Sequence, residues 1–281
     1  MSMATPLVSV LMTAYNRQDY LAEAIESVLA SSLTDFELII VDDCSTDNTV
    51  AIAKKYEALD SRVKVYVNEK NLSDYPNRNK AASYASGKYI KYWDSDDVMY
   101  AHCLQVMVGA MEKFPNAGFG LIKPHLRQYN RPYPFLIEQP FRHFLNDTAL
   151  FNNSPGSAIF KTEFFNALGG FSGIRYIGDY EFFLKCAQQA PLVIIAAFLG
   201  WDRTHEVQER NFDPVKYEAL RLDVLGKAIS QSHQLSAAEK KQFLKNQMNF
   251  LSKNLFRNFV KLRWSNLFSQ LSLIKQLKKY S

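Results

Sequence analysis

Cysteine is scarce and scattered in this 281-residue chain: Cys44, Cys103 and Cys186 are odd in number and far apart, which excludes a disulfide framework and a cysteine-rich metal site. A reducing, cytoplasmic setting suits them. No run reaches the roughly 18 apolar residues of a membrane span. No basic segment with a long apolar core precedes the first strand-like run, so no signal peptide is expected. Neither GxGxxG nor GxxxxGK[ST] occurs, which removes support for a dinucleotide-binding enzyme and for a P-loop enzyme. Internal repeats and low-complexity segments are missing too.

Acidic residues are absent from 240 to 281, where ten Lys or Arg fall; without those ten, 23 basic residues face 28 acidic ones in the rest of the chain. The formal charge of +5 therefore belongs to the tail, and a nucleic-acid-binding body is not expected. With 47% hydrophobic and 22% charged residues, the chain is an ordinary globular one. It is long enough for one large α/β domain, alone or with a smaller appendage.

Apolar runs at Leu7 to Met12, Phe36 to Val41 and Val63 to Val67 have strand length, and helical spacing fills Asp19 to Leu29 and Thr49 to Leu59 between them. Asp47 is placed to cap the second of these helices. A βαβαβ opening of this kind implies a parallel sheet covered on both faces, with ligands at the carboxyl ends of its strands. Next come a short helix near Arg78 to Ala85, a strand at Lys88 to Trp93, a helix at Ala101 to Phe114 and a strand at Phe119 to Ile122. Residues 123 to 152, with Pro124, Pro132, Pro134 and Pro140, read as an irregular insertion whose Tyr129, Tyr133 and Phe135 serve either as sugar-stacking rings or as core.

The second half restarts at Gly156 to Phe160, followed by a helix near Glu163 to Leu168, another at Asp179 to Gln189 and a strand at Leu192 to Ala196. Asp213 before Pro214 opens a helix to about Ser230, and Ser236 with Glu239 fits a capping box. Beyond it Leu244, Met248, Leu251, Leu255, Phe259 and Leu262 recur at helical steps, and Trp264, Leu267, Phe268 and Leu271 extend the stripe. A basic amphipathic tail of this kind lies on an anionic membrane, packs on the body or forms a homodimer surface.

The run Trp93-Asp94-Ser95-Asp96-Asp97 closes a strand. Its crowded carboxylates suit a hard cation such as Mg²⁺ or Mn²⁺ completed by substrate phosphates, or a solvated turn that caps the next helix. Asp42 and Asp43 end a second strand and offer acceptors for a base or ribose, or for a helix cap.

The successive blocks Val8-Ser9-Val10 through Thr13-Ala14-Tyr15-Asn16, Val41-Asp42-Asp43-Cys44-Ser45-Thr46-Asp47, Arg78-Asn79 ahead of Gly87-Lys88-Tyr89-Ile90, and Trp93-Asp94-Ser95-Asp96-Asp97 resemble, in order and spacing, those of family 2 glycosyltransferases with the GT-A fold. The resemblance is strong over 6 to 105, weaker to about 205 and absent beyond. It implies a Rossmann-like nucleotide-binding half (about 1 to 105) and an acceptor half (about 106 to 208) in one GT-A domain, a mostly parallel mixed sheet flanked by helices, with a helical extension over 209 to 281.

By the same resemblance Thr13, Ala14 and Tyr15 line the nucleotide pocket, Asp43 accepts from uracil N3–H if the nucleotide is UDP, and Arg78 faces ribose or diphosphate. Asp94 and Asp96 are the DxD pair, Asp96 on the cation and Asp94 on ribose or a bridging water. Asp179 is the base toward the acceptor, with Glu181 as alternative, and Arg203 and His205 approach the pyrophosphate or the metal. Members usually carry Ala before the Arg and Gly shortly before that, where this chain has Asn77 after Asp74-Tyr75-Pro76; many have Glu where it has Gly178.

The implied activity is inverting transfer of a sugar from a nucleotide-sugar donor to a glycan or lipid-linked acceptor, with Mn²⁺ or Mg²⁺ as cofactor, in the cytoplasm or at the inner face of the plasma membrane. A metal-dependent nucleotidyltransferase and a non-catalytic carbohydrate-binding protein are the alternatives. The former would need a triphosphate loop near the first strand, where Thr13 to Gln18 supplies only Arg17.

Overall fold

The computed structural model describes residues 5–123, 132–195, 198–205, 214–260 and 264–280. Strand β1 (Val8–Ala14) is central to the first half, with β2 (Phe36–Asp42) and then β3 (Val63–Val67) on one side and β4 (Tyr89–Tyr92) on the other, all parallel. The helices between them are α1 (Leu21–Leu29), α2 (Thr49–Leu59) and α3 (Asp74–Ala82). Every residue of β2 is buried, as expected of a strand covered on both faces.

The sheet continues past β4 with β8 (Ala158–Lys161), β6 (Phe119–Ile122), β9 (Leu192–Ile195) and β7 (Phe135–Ile137), in the order β3-β2-β1-β4-β8-β6-β9-β7. Only β8 and β7 run against the other six. A separate ribbon pairs β5 (Val98–Met99) with β10 (Gly200–Trp201).

Alternation along the strands divides the core in two. Val10, Met12, Leu38 and Ile40 face α1, α2 and α4 (Cys103–Lys113), where Leu21, Ile25, Ala53 and Met107 meet them. Leu11, Ile39, Ile90 and Tyr92 face the other way, toward α3, α6 (Thr162–Ala167) and α7 (Gly178–Ala187), where Phe165, Phe182 and Phe183 fill the space.

The insertion is more ordered than its composition suggested. Phe135–Ile137 forms the edge strand β7, and Pro140 opens α5 (Pro140–Phe144), which buries Phe141 and Phe144. Three strand residues are too few to show a period, and proline at the first helical turn is compatible with helix. Of the candidate stacking rings, Phe135 is buried and Tyr133 packs on it with centroids 5.3 Å apart, so both serve the core; Tyr129 lies outside the described residues. Helix α3 begins at Asp74, a turn earlier than the sequence indicated, and carries Pro76 within its first turn.

The C-terminal helices are α8 (Pro214–Gln231), α9 (Ala237–Val260) and α10 (Trp264–Leu277). The capping box forms, with Glu239 accepting from Ser236 N–H at 2.8 Å and Ser236 Oγ accepting from Glu239 N–H at 3.3 Å. Leu244, Leu273 and Leu277 are buried in the same core cluster as Leu222 and Phe182, with Met248 partly buried against it. Tyr280 donates to Asp223 at 2.8 Å, and its ring fills the space over Gly226. Asp213 and Leu262, and the side chains of Leu251, Leu255, Phe259, Trp264, Leu267 and Phe268, lie outside the described residues. No helix among the described residues is long and apolar enough to cross a membrane.

Candidate functional site

The carboxyl ends of β2, β1 and β4 lie side by side, and the residues that leave them wall a cavity of about 760 Å³. Thr13, Ala14 and Tyr15 come from β1, Asp43 follows β2, and Asp94 and Asp96 follow β4. Arg78 on α3 and Asp179 on α7 close it. Arg203 and His205 are not in the lining; both reach Asp96 from elsewhere.

The acidic run is a tight turn. Asp97 N–H donates to the Asp94 carbonyl at 3.2 Å, and the Trp93 indole donates to the Asp97 carbonyl at 3.1 Å. Its charge is met largely by the protein's own cations. Arg78 Nη2 donates to Asp94 Oδ1 at 2.8 Å and Nε to Asp74 Oδ1 at 2.8 Å, while Nη1 is buried with no partner. Burial opposes the guanidinium charge, yet Asp94 and Asp74 outweigh it and hold its pKa above the ordinary value. Burial likewise opposes ionisation of Asp94, and Arg78 reverses that and holds its pKa below the usual carboxylate range.

Arg17 Nε lies 3.3 Å from Asp96 Oδ2, and Arg203 donates its backbone N–H to Asp97 Oδ1 at 2.9 Å and Nε to the Asp96 carbonyl at 2.9 Å. Arg203 also pairs with Glu23 and lies over the rings of Tyr20 and Trp201, so it braces the acidic turn. Lys91, fully buried in β4, donates to the Gly156 carbonyl with its ammonium 4.8 Å over the Trp93 ring. Asp97 is the exception in this turn: burial, with Asp94, Asp96 and Asp202 nearby, pushes it up to about 7.

His205 Nε2 lies 3.0 Å from Asp96 Oδ2, its ring stacks on Tyr20, and its buried Nδ1 has no partner. Among the described residues no group of three or more His, Cys, Asp or Glu forms a metal cage. One carboxylate and one imidazole in contact fit a divalent ion that takes its other ligands from phosphate and water.

Asp43 is almost fully buried, and its carboxylate accepts from Asn68 Nδ2 and Leu72 N–H at 2.8 Å each and from Ser73 N–H at 2.9 Å. Three bonds leave one of about four lone-pair positions for a ligand. Asp42 accepts from Ser45 N–H at 2.9 Å and faces away from the cavity lining. Burial raises Asp179 to about 6, against the lowering effect of its hydrogen bonds with Tyr180 N–H and Tyr75. Glu181 accepts from Ser172 and does not line the cavity.

Several residues support the site through contacts that the sequence does not announce. Asn79 receives Phe171 N–H at 3.0 Å and donates to the Phe171 carbonyl at 2.7 Å, which ties α3 to the loop before Asp179. Arg17 and Lys91 act through partners distant in the chain, Asp96 and Gly156, whereas Asp74 pairs with Arg78 one turn along α3. Backbone strain offers a further marker, because Asn16, Ser73 and Tyr176 hold positive φ and all line the cavity.

Acidic strand ends around a polar cavity on a mostly parallel sheet define an α/β transferase fold of the GT-A kind. The sequence profile of glycosyl transferase family 2 matches residues 9–169, and the chain belongs to that family. TuaG of Bacillus subtilis, named for teichuronic acid biosynthesis, is 47% identical over 92 residues, 33% of this chain and 36% of TuaG. WfgD of Escherichia coli, named as a UDP-Glc:alpha-D-GlcNAc-diphosphoundecaprenol beta-1,3-glucosyltransferase, is 39% identical over 107 residues, 38% of this chain and 42% of WfgD. The matched region thus spans less than half the length of either relative.

Among solved structures, TarS 1–349 of S. aureus in complex with UDP-GlcNAc superposes with a TM-score of 0.70 at 23% identity, covering 96% of this chain and 81% of that one. The mannosyltransferase PcManGT of Pyrobaculum calidifontis, in complex with GDP-Man and Mn²⁺, gives 0.58 at 16% identity over 98% and 87%. These likenesses concern the fold.

Proposed function

We propose that this chain transfers a sugar, with inversion, from a UDP-linked donor to a hydroxyl of a glycan or lipid-linked glycan. The observation that carries the reading is Arg78 Nη1, a buried donor without a partner in a cavity that also holds Asp179. An unpaired buried guanidinium donor is costly unless a ligand oxygen completes it, and a diphosphate oxygen does so with matching charge.

The acceptor oxygen attacks the anomeric carbon as the bond from that carbon to the diphosphate oxygen breaks. Asp179 takes the hydroxyl proton, and the departing diphosphate keeps the electron pair, its charge met by Arg78 and Arg17, both in the cavity lining. Asp179, raised to about 6, is ionised at neutral pH yet basic enough for this role. Tyr15, about half exposed at the cavity, offers a ring face to the base, and Asp43 offers its remaining lone pair.

Asp96 and His205, with Asp94 beside them, would hold Mn²⁺ or Mg²⁺, and the ion would supply positive charge to the leaving diphosphate. The lipid-linked acceptor in the name of WfgD supports an acceptor of that class, and a cytoplasmic site near the membrane accords with it. The basic helices of the 209–281 extension would serve as its anionic-lipid contact, attached to a catalytic domain over 1–208.

The direct experiment is calorimetric titration of UDP with and without Mn²⁺, followed by a screen of nucleotide sugars for donor hydrolysis. Absence of UDP binding under both conditions would overturn the reading.

A further inference from the structure

Helix α7 starts without the usual oxygen at its amino end. Ile177 stands at the N-cap and Gly178 at the first helical position, so neither brings a side-chain acceptor to the free N–H groups of that turn. Asp179 supplies one itself, its Oδ1 accepting from Tyr180 N–H at 2.7 Å. The other comes from a different helix: the Tyr75 hydroxyl of α3 accepts from the Asp179 N–H and donates to the Asp179 carboxylate. One phenol oxygen thus serves both the backbone and the side chain of the proposed base.

The phenol has a single place to be. Tyr75 is buried and lines the cavity that Asp179 closes. Its ring occupies the space at the start of α7, where a Cβ at Gly178 would stand 2.7 to 3.0 Å from three of its atoms. Phe171 packs against it with centroids 5.2 Å apart, and Phe171 is itself held through both its N–H and its carbonyl by Asn79, one turn along α3 from Tyr75. A ring boxed in this way cannot swing its hydroxyl elsewhere without unpacking the core around it.

Burial, and then the charge of Asp179, push Tyr75 well above the ordinary phenol range, so the hydroxyl stays protonated and donates at every working pH. A donor aimed at a carboxylate favours its ionised form, and here it opposes the burial that raises Asp179. The other groups that face Asp179 are Arg78 and Asp74 on α3, of opposite charge, and Tyr217 on α8, while Arg175 of the loop before α7 lines the same cavity.

We propose that Tyr75 is the positioning residue of the base: boxed between Gly178 and Phe171, its hydroxyl sets the direction in which the Asp179 carboxylate faces the cavity. Its part in transfer rests on the transferase reading above, whereas the contact itself does not.

The test is Tyr75→Phe, which keeps the ring and removes only the hydroxyl, studied on the full chain beside the wild type and Asp179→Asn. In protein labelled with carboxyl-¹³C aspartate, the NMR signal missing from Asp179→Asn reports the base. Its titration midpoint, at about pH 6 in the wild type, is expected to move up by about half a pH unit or more in Tyr75→Phe. UDP affinity in the presence of Mn²⁺ should stay within about twofold, and hydrolysis of UDP-glucose or UDP-N-acetylglucosamine should fall about tenfold at pH 6, with part of the loss recovered at pH 8. A role in packing alone would lower the melting temperature and leave the midpoint where it was. An unmoved midpoint, or a loss of hydrolysis that is equal at the two pH values, would overturn the proposal. A shifted midpoint in a protein that binds no UDP would confirm the contact and instead overturn the transferase reading.

Discussion

The ring of Tyr75 lies so close against Gly178 that a Cβ built at position 178 would stand 2.7 Å from its Cδ2. Tyr75 is buried, with Phe171 on its other side, and has no room to withdraw. Both residues stand where the chain departs from its family's usual pattern, and the two departures meet beside the proposed base. The ring on α3 occupies the space that a side chain at the start of α7 would need.

This contact predicts a coupled pair. Gly178→Ala alone should destabilise the fold by about 1–3 kcal/mol through overpacking and lower turnover by moving Asp179. In a Tyr75→Val background the same change should be milder, with a coupling energy on the order of 1 kcal/mol. Urea denaturation of the four proteins measures it, and additive losses would show that the contact does not govern position 178.

Asp179 should separate binding from chemistry. Asp179→Asn is expected to keep UDP affinity and lower turnover by about 10²-fold, with Glu181→Gln doing less. Wild-type turnover should rise through about pH 6 as the carboxyl ionises, a step that Asp179→Asn lacks. The stability effect has the opposite sign. A carboxyl whose folded-state pKa is raised binds its proton more tightly folded than unfolded, so stability falls as pH rises from about 4 to about 6. Asp179→Asn should therefore be the more stable protein at neutral pH, by on the order of 1 kcal/mol, in thermal melts at pH 5 and pH 7.5. A variant as inactive as expected but no more stable would mean that burial does not set this pKa.

Asp96→Ala should abolish the Mn²⁺ dependence of UDP binding and leave the far-UV spectrum unchanged, because the side chain sits on a turn beyond the strand end. Asp94→Ala should weaken UDP binding and also destabilise the site, since it removes one of the two carboxylates that hold Arg78. Undiminished metal-dependent binding in Asp96→Ala, read by calorimetry, would rule out Asp96 and His205 as the cation pair.

The tail prediction concerns Lys241, Lys245 and Lys253, all exposed on α9. If they face anionic lipid, each contributes about 1 kcal/mol, and changing all three to Gln should release the protein from liposomes rich in phosphatidylglycerol at low salt. Charge substitution is the cleaner test here because truncation after Ser236 would strip Leu244, Leu273 and Leu277 from the core. Equal recovery of wild type and variant in the supernatant at low salt would leave the tail as a packing element.

Much of the donor half was legible in the sequence because its signals are local. Apolar runs stopped by Asp42–Asp43 and by Asp94–Asp97 fixed both the strands and the ends that face the cavity, and Thr13, Ala14, Tyr15, Arg78 and Asp179 all line it. What stayed hidden depends on partners far along the chain. Lys91 sits in an apolar strand, and nothing nearby announces that Gly156 and the acidic turn will receive its charge. Arg203 was conspicuous, but only the fold shows that it grips the turn from behind. The charge of the crowded carboxylates is also met in part by Arg17, Arg78 and Lys91, whose approach could not be located without the structure.

Arg78 and Asn79 are neighbours in one helix, and they hold two different parts of the site. The first grips Asp94 in the acidic turn, and the second brackets the peptide of Phe171 in the loop before Asp179. The spacing between the acidic turn and that loop is therefore tied to a single peptide unit of α3. The helix is set like a caliper, with one jaw on the acidic turn and the other, at Asn79, on Phe171, which lies outside the cavity lining.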